Sequence, residues 1–440
     1  MSEASEAPDG IRGGGTPDDG ERVLVAGGGI AGLAAALGLA RQGRPVLVLE
    51  SRADFTELGA GIQLAPNAFR ALDRLGAGAA VRARAVHIGE LRFMDGTTGR
   101  PVARLPLDDA YRERFGGPYA VVHRNDLYAP LLAACRAACG VRLRTGARVA
   151  DYAQDGSGVS VRLAGGERVR GAALVGADGI RSAVRRRLVG DGRPRVSGHT
   201  IHRAVIPIAR VPAELRVNAA TLWAGPGWHL VHYPIGPPGD PGCEGGGGRF
   251  LNLAATRDDG ATEELAGVPA ARAHVLARFP GIAEVPRRLL GLGRDWRTWV
   301  LCDRDPVPRW SEGRVVLVGD AAHPMLQYAA QGACQALEDA VVLGELAAGV
   351  PSGAELAGAF TKFVAARRER TAAAQLVARE LGHRLYHPSG EDAVRRNALL
   401  SGLTAADLRD RIAWLHGGFG DGPDAGDDRH HRLIREEAHA

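Results

Sequence analysis

The sequence predicts an α/β protein: a mostly parallel sheet built from βαβ units, interrupted by an antiparallel sheet and followed by long C-terminal helices. Three observations carry this. A short apolar strand (22–26), a helical run (30–41) and a second strand (46–50) form a βαβ unit. From His199 to Thr256 the texture changes to β-rich runs with turn signals and aromatics. Arg314–Val318 then returns to a buried-type strand, ahead of long helical runs from about Gln331 to Leu381.

Length and composition bound the rest. At roughly 150 residues per domain, 440 residues suggest two to three domains. Hydrophobic residues at 45% and charged residues at 24% exclude a wholly disordered chain. The net charge is +5, with one lysine, Lys362, and arginines spread along the chain, so no nucleic-acid stripe is expected. Cys135, Cys139, Cys243, Cys302 and Cys334 complete no zinc pattern and read as reduced thiols, with no metal site. Val23–Ala40 carries no charge, but Gly27, Gly28, Gly29 and Gly32 interrupt it and Asp18, Asp19 and Glu21 precede it. It reads as strand and helix rather than membrane span or signal, and the expectation is a soluble, cytoplasmic protein without stable membrane association.

The expected organisation is a loose tail (1–20), a discontinuous nucleotide-type domain (21–95, 120–195 and 296–350) and an antiparallel-sheet domain (96–119 and 196–295). C-terminal helices (351–416) and a flexible tail (417–440) follow. Pro234–Gly248, rich in Pro and Gly, reads as a long hairpin loop between strands Trp228–Tyr233 and Arg249–Thr256.

Gly27-Gly28-Gly29-Ile30-Ala31-Gly32 fits G-x-G-x-x-G between strand and helix. Gly27 permits the tight turn, Gly29 lets backbone approach a pyrophosphate, and Gly32 lets helix pack on strand. The helix N-terminus adds free N–H groups and a positive dipole end. Glu50 ends the second strand, where a carboxylate can accept from ribose hydroxyls. A dinucleotide site follows; the bland alternative is a plain glycine turn with a solvated Glu.

Two more segments extend the pattern, Ala173-Leu174-Val175-Gly176-Ala177-Asp178-Gly179-Ile180-Arg181-Ser182 and Val315-Val316-Leu317-Val318-Gly319-Asp320-Ala321-Ala322-His323-Pro324. With the glycine motif, they resemble the three fingerprints of the group A flavoprotein aromatic hydroxylases, in that family's order, over about residues 21–416. The resemblance implies a Rossmann-like domain binding FAD, with NADH or NADPH as transient co-substrate and O2 as oxidant. It implies that Asp320 meets the ribityl chain, that Asp178 lies by the pyrophosphate and that Arg124 contacts FAD. The helix N-terminus at Gly332–Ala333 would face the flavin's pyrimidine edge, and Gly59–Gln63 would pass the flavin ring. The residues alone leave helix caps open for Asp320 and Asp178, and a surface role for Arg124. No second glycine motif exists for a nicotinamide domain, and this family lacks one too.

In Trp228–Tyr233, period two puts His229, Val231 and Tyr233 on one face and Leu230 and His232 on the other. A histidine and a tyrosine over the flavin could deprotonate a phenol, so that a phenolate meets the flavin C4a-hydroperoxide. The alternative is a structural histidine. His-x3-Tyr and Leu326-Gln327-Tyr328 are similar to 3-hydroxybenzoate 6-hydroxylases, where the matching His, Tyr and Gln line the substrate pocket. That resemblance implies His229, Tyr233 and Gln327 as catalytic residues and para-hydroxylation of a small aromatic acid, 3-hydroxybenzoate, to 2,5-dihydroxybenzoate. Arg203 is a candidate partner for the carboxylate. Arg185–Arg187 and Arg367, Arg368 and Arg370 read as exposed helix faces. Alternatives are decarboxylating hydroxylation of salicylate or 6-hydroxynicotinate, a biosynthetic hydroxylase of a larger aromatic, and a non-catalytic FAD-binding protein. A homodimer is left open.

Overall fold

A computed structural model describes residues 21–56, 59–238, 248–350 and 353–418. Strand Val23–Ala26 and its neighbours Val46–Leu49 and Ala173–Gly176 are wholly buried, because β-branched and leucine side chains fill both faces of a sheet covered by helices. The sheet order is Ser311–Glu312, Val315–Leu317, Ala173–Gly176, Val23–Ala26, Val46–Leu49, Val141–Arg144, parallel except at the Ser311–Glu312 edge. The parallel α/β reading holds, assembled from distant pieces of chain.

Helix Ile30–Ala40 is buried almost all round. It crosses helix Gly332–Ala347 at a pair of glycines: a Cβ on Gly38 would lie 2.2 Å from the Ala340 carbonyl oxygen, and one on Gly344 would lie 2.5 Å from that of Gly38. This contact sets two helix N-termini, at Gly29–Ile30 and Gly332–Ala333, on one crevice.

The second layer is an eight-stranded sheet, ordered Val268–Ala270, Trp296–Asp303, Arg195–Pro207, Gly248–Ala261, Trp228–Pro238, Ala219–Gly225, Glu90–Asp95, Pro101–Pro106. It is antiparallel except where Ala219–Gly225 meets Glu90–Asp95. One face holds Trp228, Leu230, Leu251 and Leu253 against helices Arg272–Ala277 and Glu284–Leu292. The other face turns toward the parallel-sheet domain. The expected boundaries at 95/96 and 295/296 cut through this sheet, since Glu90–Asp95 and Trp296–Asp303 are two of its strands. Hydrogen-bonded pairing, absent from a local reading, overrides the textural boundary.

Other expectations shift as well. Pro234–Pro238 is strand rather than loop, paired through Pro234↔Leu251 and Ile235↔Phe250, and the partner strand begins at Gly248. The remainder of the expected loop, like the expected tails at 1–20 and 419–440, lies outside the described residues. The run from Gln331 to Leu381 divides into helices Gly332–Ala347 and Leu356–Glu380, and the latter widens into a π-helical turn over Leu381–Tyr386. Helices Gly390–Ser401 and Ala405–His416 follow. Among the described residues no helix is long and apolar enough to cross a membrane. Cys135 and Cys334 are buried free thiols, but Cys139 is exposed.

Two predictions follow. Gly38→Ala should destabilise the fold by about 1–3 kcal/mol, the usual cost of overpacking, in urea titrations; unchanged stability would refute the helix contact. Burial, reinforced by Arg92 at His232 and by Arg370 and Arg70 at His416, pushes both imidazoles down to about 3. A folded-state value below the unfolded 6.5 means the unfolded chain binds protons first as pH falls. Stability is therefore full above pH 6.5 and declines below it, by about 1 kcal/mol per histidine one pH unit lower. Melting temperatures between pH 7.5 and 5 would reveal this, and a flat profile would contradict it.

Candidate active site

Strand Val23–Ala26 ends at Gly27 with φ +103°, a left-handed conformation that favours glycine. A Cβ on Gly27 would lie 2.4 Å from the Ala177 carbonyl oxygen, and one on Gly32 1.9 Å from that of Gly27. These two glycines let strand, turn and helix close on each other. Gly29 differs: nothing lies within 4 Å of the position a Cβ would take, and it lines the crevice. Glu50 is buried at the end of its strand, accepting from Gly28 N at 2.7 Å and, on its other oxygen, from Arg52 N at 2.8 Å. It shapes the loop, with Ser51 Oγ as a third donor at 3.1 Å.

Asp178 is engaged as a helix cap. Its carboxylate accepts from Ser182 Oγ, Ala183 N (2.7 Å) and Val184 N (3.3 Å), at the start of helix Ala183–Leu188 rather than at the expected Ile180. Its neighbours Ala177 and Gly179, not Asp178, line the crevice. Three donors hold the carboxylate as a cap that orients this turn.

Asp320 behaves in the opposite way. It sits in the turn Gly319–Ala321 after strand Val315–Leu317, makes no cap bond, and accepts no hydrogen bond from any described residue. Its side chain is exposed to the crevice. Burial raises its pKa, while His323 and Arg124 pull it down. The turn is held from behind: Asp339 accepts from Gly319 N at 2.9 Å and from His323 Nε2 at 2.6 Å. Arg185 donates to the Ala321 and Ala322 carbonyls, at 3.1 and 2.6 Å. Arg185 and Arg367 are fully buried, contrary to the exposed-face reading, because Asp191 in one case and Glu338 and Asp339 in the other compensate their charge. Arg124 lines the same crevice.

The crevice continues into a cavity of about 600 Å3 between the two domains. His229, Val231 and Tyr233 all face it, as period two requires, while His232 lies behind, stacked on Trp223. Gly61 approaches the Tyr233 ring so closely that a Cβ would lie 2.4 Å from it. Arg203 donates to Gln327 Oε1, and Gln327 Nε2 donates to Thr256 Oγ1 at 3.3 Å. Burial pushes the Tyr233 phenol up to about 12, against the pull of Arg203.

His229 is 1% exposed and its Nδ1 lies 2.8 Å from His387 Nε2. The Tyr328 and Tyr386 rings flank it. Burial, with His387 and His199 nearby, holds it well below the ordinary imidazole value and therefore neutral. His387 escaped the sequence reading: it follows the π-helical turn, remote from every motif, and only the fold brings it to the strand. Beside it, donor atoms of His199, Asp258 and His387 lie within 4.8 Å of one another.

The residues suit a flavin dinucleotide. Gly29 leaves room for a pyrophosphate at a helix N-terminus, Asp320 offers a carboxylate without a protein donor, and the helix beginning at Gly332 points a second positive dipole end into the crevice.

Comparison with known proteins agrees. A family model described as an FAD binding domain matches residues 21–219 and 293–379. The chain is 47% identical over 398 residues to 3-hydroxybenzoate 6-hydroxylase 1 of Aquipseudomonas alcaligenes, covering 90% of this chain and 97% of that protein. It is 43% identical over 396 residues to 3-hydroxybenzoate 6-hydroxylase of Klebsiella oxytoca, covering 90% and 96%. Among solved structures it is similar to a salicylate hydroxylase substrate complex, with a TM-score of 0.75, 26% identity, and coverage of 90% and 95%. Klebsiella pneumoniae HpxO complexed with FAD and uric acid shares the fold, with a TM-score of 0.77, 23% identity, and coverage of 91% and 98%. The three glycine- and aspartate-bearing turns, the FAD-type crevice and these matches together mean that the chain belongs to the FAD-binding-domain family of flavoprotein monooxygenases.

Proposed function

We propose that the protein hydroxylates 3-hydroxybenzoate para to its phenol, giving 2,5-dihydroxybenzoate, with FAD as bound cofactor and NADH or NADPH and O2 as co-substrates. The observation that carries this reading is the convergence of His229, Tyr233 and the Arg203–Gln327 pair on the wall of a cavity whose other end is the Asp320–Gly332 crevice. The names of its relatives support the substrate.

Glycines 27, 29 and 32, Glu50, Arg124, Asp320 and the helix start at Gly332–Ala333 hold the cofactor in this proposal, and Asp178 braces the turn beside it. Bound and reduced FAD supplies the activation of O2 that lets an electrophilic hydroxyl reach the ring. The chain's own residues position and prepare that ring. Arg203 presents a guanidinium to the substrate carboxylate, and Gln327, tied to Arg203 and Thr256, fixes its direction. His229, neutral and with Nδ1 engaged, leaves Nε2 for the phenol proton. Loss of that proton makes the ring a stronger nucleophile at the para carbon. Tyr233, whose own proton is held tightly, donates a hydrogen bond to the substrate oxygen and does not compete as a base. Val231, Leu222 and Ala254 exclude water from the ring.

Two variants test the assignment. Asp320→Ala should purify with little or no flavin, read from the ratio of flavin to protein absorbance; full occupancy would remove Asp320 from the cofactor site. His229→Ala should retain flavin but form product about 10²-fold more slowly, the usual scale for a lost general base. Products from a panel of hydroxybenzoates and hydroxynicotinates should be identified chemically, since uncoupled NADH oxidation mimics turnover. A decarboxylated product, or undiminished product formation in His229→Ala, would defeat this proposal.

A further inference from the structure

We propose that His387 and Asp258, with His199 beside them, form a proton exit that carries the proton taken up by His229 from the substrate cavity to the protein surface. This rests on His229 acting as the base.

A proton accepted at His229 is sealed in. The residue is 1% exposed, and the rings of Tyr328 and Tyr386 stand 5.4 and 5.1 Å from its own, centroid to centroid. The neighbour on its far side is another imidazole. His229 Nδ1 and His387 Nε2 are 2.8 Å apart, with the rings stacked at 5.0 Å and 25°. As the phenolic O–H bond breaks and His229 gains Nε2–H, its Nδ1–H passes to His387 Nε2. His387 then releases its own Nδ1–H, and both imidazoles end neutral.

His387 Nδ1 is buried and has no hydrogen-bond partner among the described residues. A ring nitrogen of His387 lies within 4.8 Å of donor atoms of His199 and Asp258, a separation that one bridging water spans. His199 Nδ1 meets the Tyr328 hydroxyl at 2.5 Å, which directs its Nε2 to Asp258 Oδ2 at 3.6 Å. The Asp258 side chain is 45% exposed, so the row of groups ends at solvent. His383, 5.8 Å from His199 between ring centroids, and Arg195 are the other charged or titratable groups facing the row.

Burial lowers His387 to about 3 and His199 below its ordinary value, although Asp258 opposes the shift at His199. Both are carriers that release a proton rather than store it. Tyr328, pushed well above the ordinary phenol value by burial, keeps its proton and holds His199 in one tautomer.

The test uses the FAD-loaded full chain mixed rapidly with 3-hydroxybenzoate in weak buffer. Phenolate absorbance and a pH indicator are followed together. In the unsubstituted enzyme, phenolate formation and proton release should coincide. In Asp258→Asn and in His387→Gln, phenolate formation and proton release should slow together by about tenfold or more, less than the ~10²-fold loss of the base itself, and added imidazole should restore both. A merely structural role would not be rescued by imidazole. Asp258 is a surface residue, so Asp258→Asn keeps the test decisive should His387→Gln fail to fold. Unchanged rates in Asp258→Asn would overturn the proton exit while leaving the base assignment intact. Absence of phenolate in the unsubstituted enzyme would overturn the base assignment and the exit with it.

Discussion

The site depends on a carboxylate that is fully buried behind the crevice. Asp339 accepts from the Gly319 amide, from His323 Nε2 and from Arg367 Nε (2.8 Å), binding the Asp320 turn, the helix that starts at Gly332 and the long helix Leu356–Glu380 at one point. Its neighbour Glu338 accepts from Arg367, Arg370 and Asn67. These acids are fully buried, and their cationic partners hold Asp339 down to about 2 and Glu338 below the usual carboxylate range. A buried charge left without its partner costs about 3–5 kcal/mol, so the network tolerates no single deletion cheaply. Asp320 can stand without a protein donor because a second aspartate has already satisfied the backbone around it.

Division of labour between the layers follows from this. The parallel sheet and its helices supply backbone geometry and dipole ends, which suit a dinucleotide. The eight-stranded sheet supplies side chains at period two, which suit a small ring. The cavity lies where one meets the other, and the helix after Asp320 bounds both ends.

The turns that line the crevice were legible in the sequence because they are local. Gly27, Gly29 and Gly32 do their work within six residues, and Asp320 within its own turn. The face carrying His229, Val231 and Tyr233 was equally readable, since strand alternation is strictly periodic. Partnerships were not. Arg185 and Arg367 look like surface charge until Asp191, Glu338 and Asp339 are placed beside them. His387 shares no motif with His229, 158 residues away. Asp178 sits in a fingerprint segment, yet its carboxylate faces its own helix. Domain boundaries failed at Glu90–Asp95 and Trp296–Asp303 for the same reason: a strand's sheet is decided by its ladder partner, which composition does not reveal.

The order of pieces along the chain also bears on how the protein comes into being. Val23–Ala26 and Ala173–Gly176 emerge early from the ribosome, but Val315–Leu317, the strand that leads into the Asp320 turn, pairs with Ala173–Gly176 only after the whole eight-stranded sheet has been synthesised. Until then the nascent nucleotide fold carries an unpaired apolar edge, the kind of surface that invites aggregation or chaperone capture. The early glycine turn is synthesised long before the opposite end of the cleft, so the crevice is completed only at the last stage of biogenesis.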